Sequence, residues 1–216
     1  DGEMTDITLP DKYAFEGGLY IGNEQKISSL TLAYGLRYSF YSYYGPGDIY
    51  EFGDPLSSGD RRPLISENKV GKRETIQNFS KFEPRVSINI LLGRTSSLKA
   101  SYNRMAQYIH LLSNTAASSS LDVWTPSTNN IKPEIADAYV LGYFKNFKNN
   151  TYEASLELYY KDLQNQIDYI DGADLLINKY IEGDLLTGIG RAYGLEFLFK
   201  KNRGRYNGWF SYTLGR

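Results

Sequence analysis

Cysteine is absent from the 216 residues, and histidine occurs once, at His110. The first absence removes disulfides, thiolate metal sites and cysteine nucleophiles. The second leaves any Ser-His-Asp relay dependent on one residue. His110 opens a long connection beside Leu111 and Leu112, without the strand-turn-helix setting of a nucleophile elbow. An enzyme is therefore not expected, and neither is a cofactor. No run approaches the ~18 apolar residues of a membrane-spanning helix. Basic excess is missing too: the formal net charge is −1, which offers nucleic acid no electrostatic footprint. The opening residues Asp1-Gly2-Glu3-Met4 carry no basic, apolar leader, so no signal peptide is expected in this stretch. No segment reads better with a helical period than with an alternating one.

Tyrosine is abundant, at 20 residues, and aromatics reach 15%. Aromatic girdles at two bilayer interfaces would account for this. Residues 28–44 show why a bilayer is relevant. Leu30, Leu32, Tyr34, Leu36, Tyr38 and Phe40 fall on one face; Thr31, Ala33, Gly35, Arg37 and Ser39 fall on the other. Alternate side chains of a strand point to opposite faces, so one side is apolar and the other wet. A tilted strand of ~9–11 residues crosses the hydrocarbon of a membrane, and its polar face then lines a lumen. The negative mean hydropathy fits, because half of every such strand meets water.

Eight segments alternate in this way, at 11–22, 27–44, 82–92, 97–106, 135–147, 151–163, 191–200 and 206–214. Short turns are expected at 23–26, 93–96, 146–150 and 202–204, where Asn and Gly suit tight hairpins. Long connections lie at about 45–81, 107–134 and 164–190; structureless loops of this length are uncommon in compact soluble domains. Outer-membrane barrels have short periplasmic turns and long extracellular loops. Both ends of the chain then fall on the long-loop side. A complete even-numbered barrel would place them in the periplasm, so a piece of a larger barrel is expected.

Several runs resemble the barrel of TonB-dependent outer-membrane receptors of the Bacteroidota type. They are Phe82-Glu83-Pro84-Arg85-Val86-Ser87, Ser97-Leu98-Lys99-Ala100-Ser101-Tyr102-Asn103-Arg104 and Gln107-Tyr108-Ile109-His110-Leu111-Leu112-Ser113-Asn114. Lys132-Pro133-Glu134, Tyr159-Tyr160-Lys161-Asp162, Gly190-Arg191-Ala192-Tyr193-Gly194-Leu195-Glu196 and Gly208-Trp209-Phe210-Ser211-Tyr212-Thr213-Leu214 continue the series. The resemblance covers most of 82–216. It implies that residues 1–216 are a partial receptor barrel domain: all-β, antiparallel and up-and-down, with about eight strands forming an arc of a barrel of about 22. The implied activity is energised uptake of a scarce, bulky nutrient such as a siderophore, glycan or peptide. The implied partners are outer-membrane lipid, the remaining barrel with its plug domain, a TonB-type energy transducer acting through the plug region, and a surface lipoprotein. Plug and transducer box are not in this sequence.

Two other readings stay open from the residues. One is a complete eight-stranded barrel with an anchoring or adhesion role. The other is a soluble Tyr-rich β-sandwich that binds glycans.

Aromatics at strand tops and in long loops are the candidate ligand contacts: Tyr41, Tyr43, Tyr50, Phe52, Tyr108 and Trp124, with His110 beside them. Rings with polar tips can stack on a ligand and hydrogen-bond it at once. The expected lumen-facing charges are Glu16, Arg37, Glu83, Arg85, Lys99, Glu153, Glu157, Lys161 and Glu196, mixed in sign. They would pair with one another or with a plug. Asp168, Asp171, Asp174, Glu182 and Asp184 make the third connection acidic. Their spacing does not match a twelve-residue calcium loop, so a solvated acidic loop is expected and no metal. The glycines of Gly188-Ile189-Gly190 precede a strand and not a helix, which argues against a phosphate loop.

Overall fold

The computed structural model describes residues 11–57, 59–112, 123–173 and 178–216. Twelve strands follow in order: β1 (Tyr13–Ile27), β2 (Leu30–Tyr44), β3 (Gly47–Phe52), β4 (Leu64–Val70), β5 (Thr75–Leu91), β6 (Ser96–Gln107), β7 (Ile109–Leu112), β8 (Val123–Pro126), β9 (Glu134–Phe147), β10 (Tyr152–Tyr169), β11 (Leu185–Lys201) and β12 (Gly208–Gly215). A 3-10 turn, Ile181–Asp184, precedes β11. Eight strands make one antiparallel sheet in the order β1-β2-β5-β6-β9-β10-β11-β12, and β3-β4 and β7-β8 form two separate hairpins.

Every neighbour in the large sheet is the next long strand in the chain, as in an up-and-down barrel. β1 and β12 lie at opposite edges and do not pair, which sets aside a closed eight-stranded barrel. Among the described residues no second sheet covers the apolar face, which sets aside the sandwich.

Cross-strand register makes that face continuous. Tyr102, Tyr139, Tyr160 and Tyr193 lie side by side across β6, β9, β10 and β11. The first two rings are 4.9 Å apart and the next pair 6.3 Å. One outward rung above them the row changes to Arg104, Asp137, Asp162 and Arg191. Arg104 binds Asp137 at 2.9 Å, Tyr102 donates to the same carboxylate at 2.7 Å, and Arg191 lies 3.8 Å from Asp162. Charge on a lipid-facing row is costly within hydrocarbon, so this rung marks the upper edge of the apolar band. On β9 the next outward charge is Lys145, eight positions below Asp137. At ~3.4 Å per residue that is roughly 27 Å along the strand. Tilting reduces it to roughly 20 Å, close to the ~25 Å band of such barrels.

The strands outrun the segments expected from hydropathy. β1 continues through 23–26, which was expected to be a turn, and reverses at Ser28-Ser29. Alternation stops there but the ladder with β2 does not, and the Asn23 and Gln25 amides donate to the Tyr34 hydroxyl at 3.1 and 3.3 Å. Ser28 takes the positive φ of the reversal. At the other end β5 begins at Thr75, β10 reaches Tyr169 and β11 starts at Leu185. Above the charged rung the pairing continues in water, so the apolar signal fades while the ladder does not. A bulge between Gln164 and Gln166 bends β10; Asn165 takes a positive φ there and donates to the Pro133 carbonyl at 2.8 Å. Gly188 and Gly190 lie within β11.

Buried apolar side chains are gathered where the upper ends of the sheet strands meet the long connections. Tyr41, Tyr43 and Tyr108 pack with Ile76, Phe79 and Ala106. Leu112, Ile131, Ile181 and Leu185 pack with Ile167 and Tyr169. A sheet with lipid on one face and a lumen on the other has no core of its own, so the hydrophobic core is the loop cap.

Candidate functional site

The cap is built on the upper end of β2. Ser39, Tyr41 and Tyr43 share the lumen face with Arg37. The second long connection folds inward onto them. Tyr108 stacks on Tyr41 at 5.1 Å with rings 2° from parallel, and its hydroxyl shares a 2.7 Å hydrogen bond with Ser39. Tyr41 donates to the Ser127 carbonyl at 2.8 Å. The Ser127 N–H in turn donates to the Tyr108 carbonyl at 2.8 Å. His110 Nε2 lies 2.9 Å from Ser127 Oγ.

Ser127, His110 and Glu134 are thus adjacent, the residue types of a nucleophilic relay. The arrangement is not one. Ser127 is fully buried, and His110 Nδ1 is 3.7 Å from Glu134, beyond a hydrogen bond. Burial pushes the His110 imidazole down to about 4. This neutral ring is packing material.

The first and third connections interlock. Arg61 binds Asp184 with two hydrogen bonds of 2.5 and 2.6 Å, and Asp184 is completely buried. Arg62 N–H donates to the Gly183 carbonyl at 3.1 Å. Gly183 is needed for this approach: a Cβ there would come within 2.7 Å of the Phe52 ring. Lys179 bridges Glu67 at 2.8 Å and Asp48 at 3.9 Å, and lies over the Tyr50 ring at 5.6 Å. Its bond to Glu67 holds the ammonium above its ordinary range and the carboxyl below. Burial, aided by Asp48, pushes the Tyr50 phenol up to about 12.

Glu182 ties the second and third connections to Lys12, just before β1. It accepts from Lys12 at 2.9 Å, Asn130 at 2.8 Å and Thr128 at 3.1 Å. Asn129 and Asn130 also donate to the Tyr50 carbonyl, at 3.0 and 2.9 Å. Between these parts lies a cavity of about 360 Å³, lined by Tyr43, Tyr50, Trp124, Asp48, Asn129 and Lys179 among others.

Of the candidate contacts, Tyr43, Tyr50 and Trp124 border this cavity. Tyr41, Tyr108 and His110 are 1–2% exposed and lie inside the cap's packing. Phe52 packs beneath Gly183, with the Arg62 guanidinium 5.6 Å from its ring. The charges Glu16, Arg37 and Glu83 cluster on the lumen wall, with Arg37 at 3.7 Å and 3.9 Å from the two carboxylates. Lys99 lies over Phe144 at 4.5 Å and Lys161 over Tyr159 at 6.0 Å. Glu157 and Glu196 face each other across β10 and β11, and Glu153 faces Lys200. Arg85 follows Glu83 on the wall, opposite Gly35 and Asn103.

Glu182 and Asp184 are committed to Lys12 and Arg61, and Asp168 accepts from the Tyr169 N–H at 2.8 Å; Asp174 lies outside the described residues. Among the described residues no three His, Asp or Glu side chains gather as a metal site. Reasoning from sequence missed Arg61, Lys12 and Lys179. Each pairs across 110 residues or more, and no local pattern signals that.

A family model for TonB-dependent receptor-like β-barrels matches residues 6–215. The chain belongs to the TonB-dependent receptor β-barrel family. Solved structures agree in fold. The FrpB iron transporter from Neisseria meningitidis (F3-3 variant) is 13% identical, with a TM-score of 0.62 over 97% of this chain and 26% of that one. A double mutant of the Serratia marcescens hemophore receptor HasR, in complex with its hemophore HasA and heme, is 14% identical, with a TM-score of 0.61 over 94% and 34%. The copper transporter OprC is 14% identical, with a TM-score of 0.59 over 94% and 30%. No curated protein matches by sequence. The receptor barrel segment spans about a quarter to a third of these structures, forms an arc of such a barrel, and belongs in the outer membrane.

Proposed function

We propose that the chain is the wall and loop cap of a transporter that takes up a scarce, bulky nutrient across the outer membrane, using energy delivered from the inner membrane. The observation that carries this reading is the cavity at the lumen mouth, walled by three interlocked connections of a receptor-family barrel. Tyr43, Tyr50 and Trp124 are the proposed ligand contacts. The lumen charges from Glu16 to Glu196 are the proposed docking surface for a plug domain, through which a TonB-type transducer acts. The facing pair Glu157 and Glu196 calls for cations from such a plug, since like charges directly opposite destabilise a sheet. Catalysis forms no part of the reading, because the sole histidine is buried against Ser127.

The test uses the full-length receptor in its own cells. Deletion should abolish growth on one limiting nutrient in a transducer-dependent manner, and Trp124→Ala with Tyr50→Ala should lower uptake while surface abundance is unchanged. A deletion strain with transducer-dependent uptake intact for metal chelates, peptides and glycans alike would sink the proposal.

A further inference from the structure

The end of the sheet away from the cavity carries an unbalanced charge. The turns β5-β6, β9-β10 and β11-β12 lie side by side there: the Asn146 N–H donates to the Thr95 carbonyl at 2.7 Å, and the Asn202 N–H to the Thr151 carbonyl at 2.8 Å. Residues 92–96, 145–152 and 200–208 form these turns and the strand ends beside them. They include seven Lys or Arg and no Asp or Glu, in a chain whose net charge is −1. We propose that the β9-β10 and β11-β12 turns bind the phosphate headgroup of an anionic phospholipid in the periplasmic leaflet, held by Lys145, Lys148 and Lys201 around Tyr152. This site is independent of the cavity and of what the receptor carries. It requires only that the short turns face the periplasm, as in outer-membrane barrels.

Register places these residues at headgroup depth. On the outward face Lys145 is level with Ala154 and Phe199, and one rung below it Phe147, Tyr152 and Lys201 lie in a row. Lys145 is the first outward charge on β9 beneath the Asp137 rung, so the two rungs bound the apolar band. Aromatic rings interleaved with lysines are the composition of a membrane–water interface. The two rungs balance their charge differently. Above, Arg104 has Asp137 at 2.9 Å and Arg191 has Asp162 at 3.8 Å, so two cations meet two anions within the protein. Below, Lys145, Lys148 and Lys201 form no ion pair among the described residues. The carboxylate nearest in sequence, Glu153, is on the lumen face, opposite Lys200.

The lower cations also converge. The Lys148 and Lys201 ammonium groups lie 5.8 and 5.9 Å from the centre of the Tyr152 ring, which stacks on Phe199 at 5.8 Å. Only the ring quadrupole offsets the repulsion between them. A phosphate beside Tyr152 neutralises both, and the Tyr152 hydroxyl, which has no partner among the described residues, can donate to it. Lys145 is tethered to Thr95 Oγ1 at 3.1 Å and keeps two more ammonium protons to donate. Lys145 and Lys201 point outward among Phe147 and Phe199, so lipid meets them, and not a soluble acidic protein of the periplasm. A lysine that only extends past apolar surface to water has no preference among headgroups. Unbalanced cations at an anionic surface do: each contributes about fivefold in affinity.

Native mass spectrometry of the purified full-length receptor, given equal amounts of phosphatidylglycerol and zwitterionic phosphatidylethanolamine, counts the lipids retained and titrates their affinity. At least one phosphatidylglycerol should be held in preference. The variant Lys145→Gln/Lys148→Gln/Lys201→Gln should lose one such lipid, its Kd rising about tenfold or more, while Lys145→Arg/Lys148→Arg/Lys201→Arg keeps it. Lys99→Gln with Lys161→Gln, on the lumen face, should leave the count and affinity unchanged. Raised salt should weaken the retained phosphatidylglycerol, since its hold is an ion pair at the surface. Heat-modified migration in gels checks that the barrel of each variant is intact. No preference for phosphatidylglycerol would overturn the inference. So would an unchanged count and affinity in the triple glutamine variant, or an equal loss in the lumen variant. Short turns that label from outside intact cells would remove the periplasmic leaflet as the source and sink it as well.

Discussion

At the scale of single residues, burial decides behaviour. His110 sits 2% exposed with its imidazole pushed down to about 4, against an ordinary 6.5. Above about pH 6.5 the ring is neutral in both the closed and the opened hairpin, and its contribution to stability is fully present. Below that the opened hairpin binds a proton that the closed one refuses, so stability falls as pH drops towards about 4. The whole window is worth roughly 3 kcal/mol. The protection factors of the β7 amides in the full-length receptor, each referred to the intrinsic exchange rate at that pH, should therefore fall between about pH 6.5 and 4.5, and His110→Phe should flatten that response. An unchanged response in the variant would contradict this account. Asp184 offers a second case. Arg61→Ala would leave a fully buried carboxylate with the Asn178 amide at 3.2 Å. The guanidinium is 55% exposed in its side chain, so the loss should be about 2–3 kcal/mol, below the usual figure for a wholly buried pair. Faster protease cleavage within 178–184, with the barrel still resistant, is the expected readout.

At the scale of elements, the strands have two faces and each tolerates different residues. Leu36 and Leu156 point outward and are 40% and 41% exposed in the isolated sheet, where lipid would cover them. Arginine at either should cost about 2–4 kcal/mol near mid-bilayer. Arginine at Ser87, on the exposed lumen face of β5, should cost far less. Urea titration of the full-length receptor folded into lipid vesicles measures the difference; equal penalties would mean a sheet buried on both faces. Ser155 shows what alternation cannot provide. It lies on the lumen side, yet it is only 6% exposed, between Phe144 and Leu198 on the flanking strands. Strand identity and face were legible because alternation is local. Strand length was not, because β5, β10 and β11 run on above the Arg104–Asp137 rung, where water removes the apolar mark.

At the scale of the whole molecule, this segment lacks cysteine, so an introduced thiol is the only one it carries, and labelling is compared with the full-length receptor before the introduction. Leu56→Cys, in the first long connection and 94% exposed, should label on intact cells bearing the full-length receptor. Arg94→Cys, in the β5-β6 turn, should label only after the outer membrane is opened. The reverse pattern would invert the barrel.

The sequence by itself determined the eight-stranded antiparallel order, the apolar and polar faces, and the short and long ends. All of these rest on period-two patterning and short turns, which each stretch of chain expresses without reference to distant residues. Only the tertiary structure decided that the long connections fold inward and lock together. Arg61 with Asp184, Lys12 with Glu182 and Tyr41 with Tyr108 join positions remote in sequence. It also separated the seven aromatic and histidine candidates into those that border the cavity and those that hold the cap together. Loop side chains carry no period; which of them meets a ligand depends on how three connections close over one lumen.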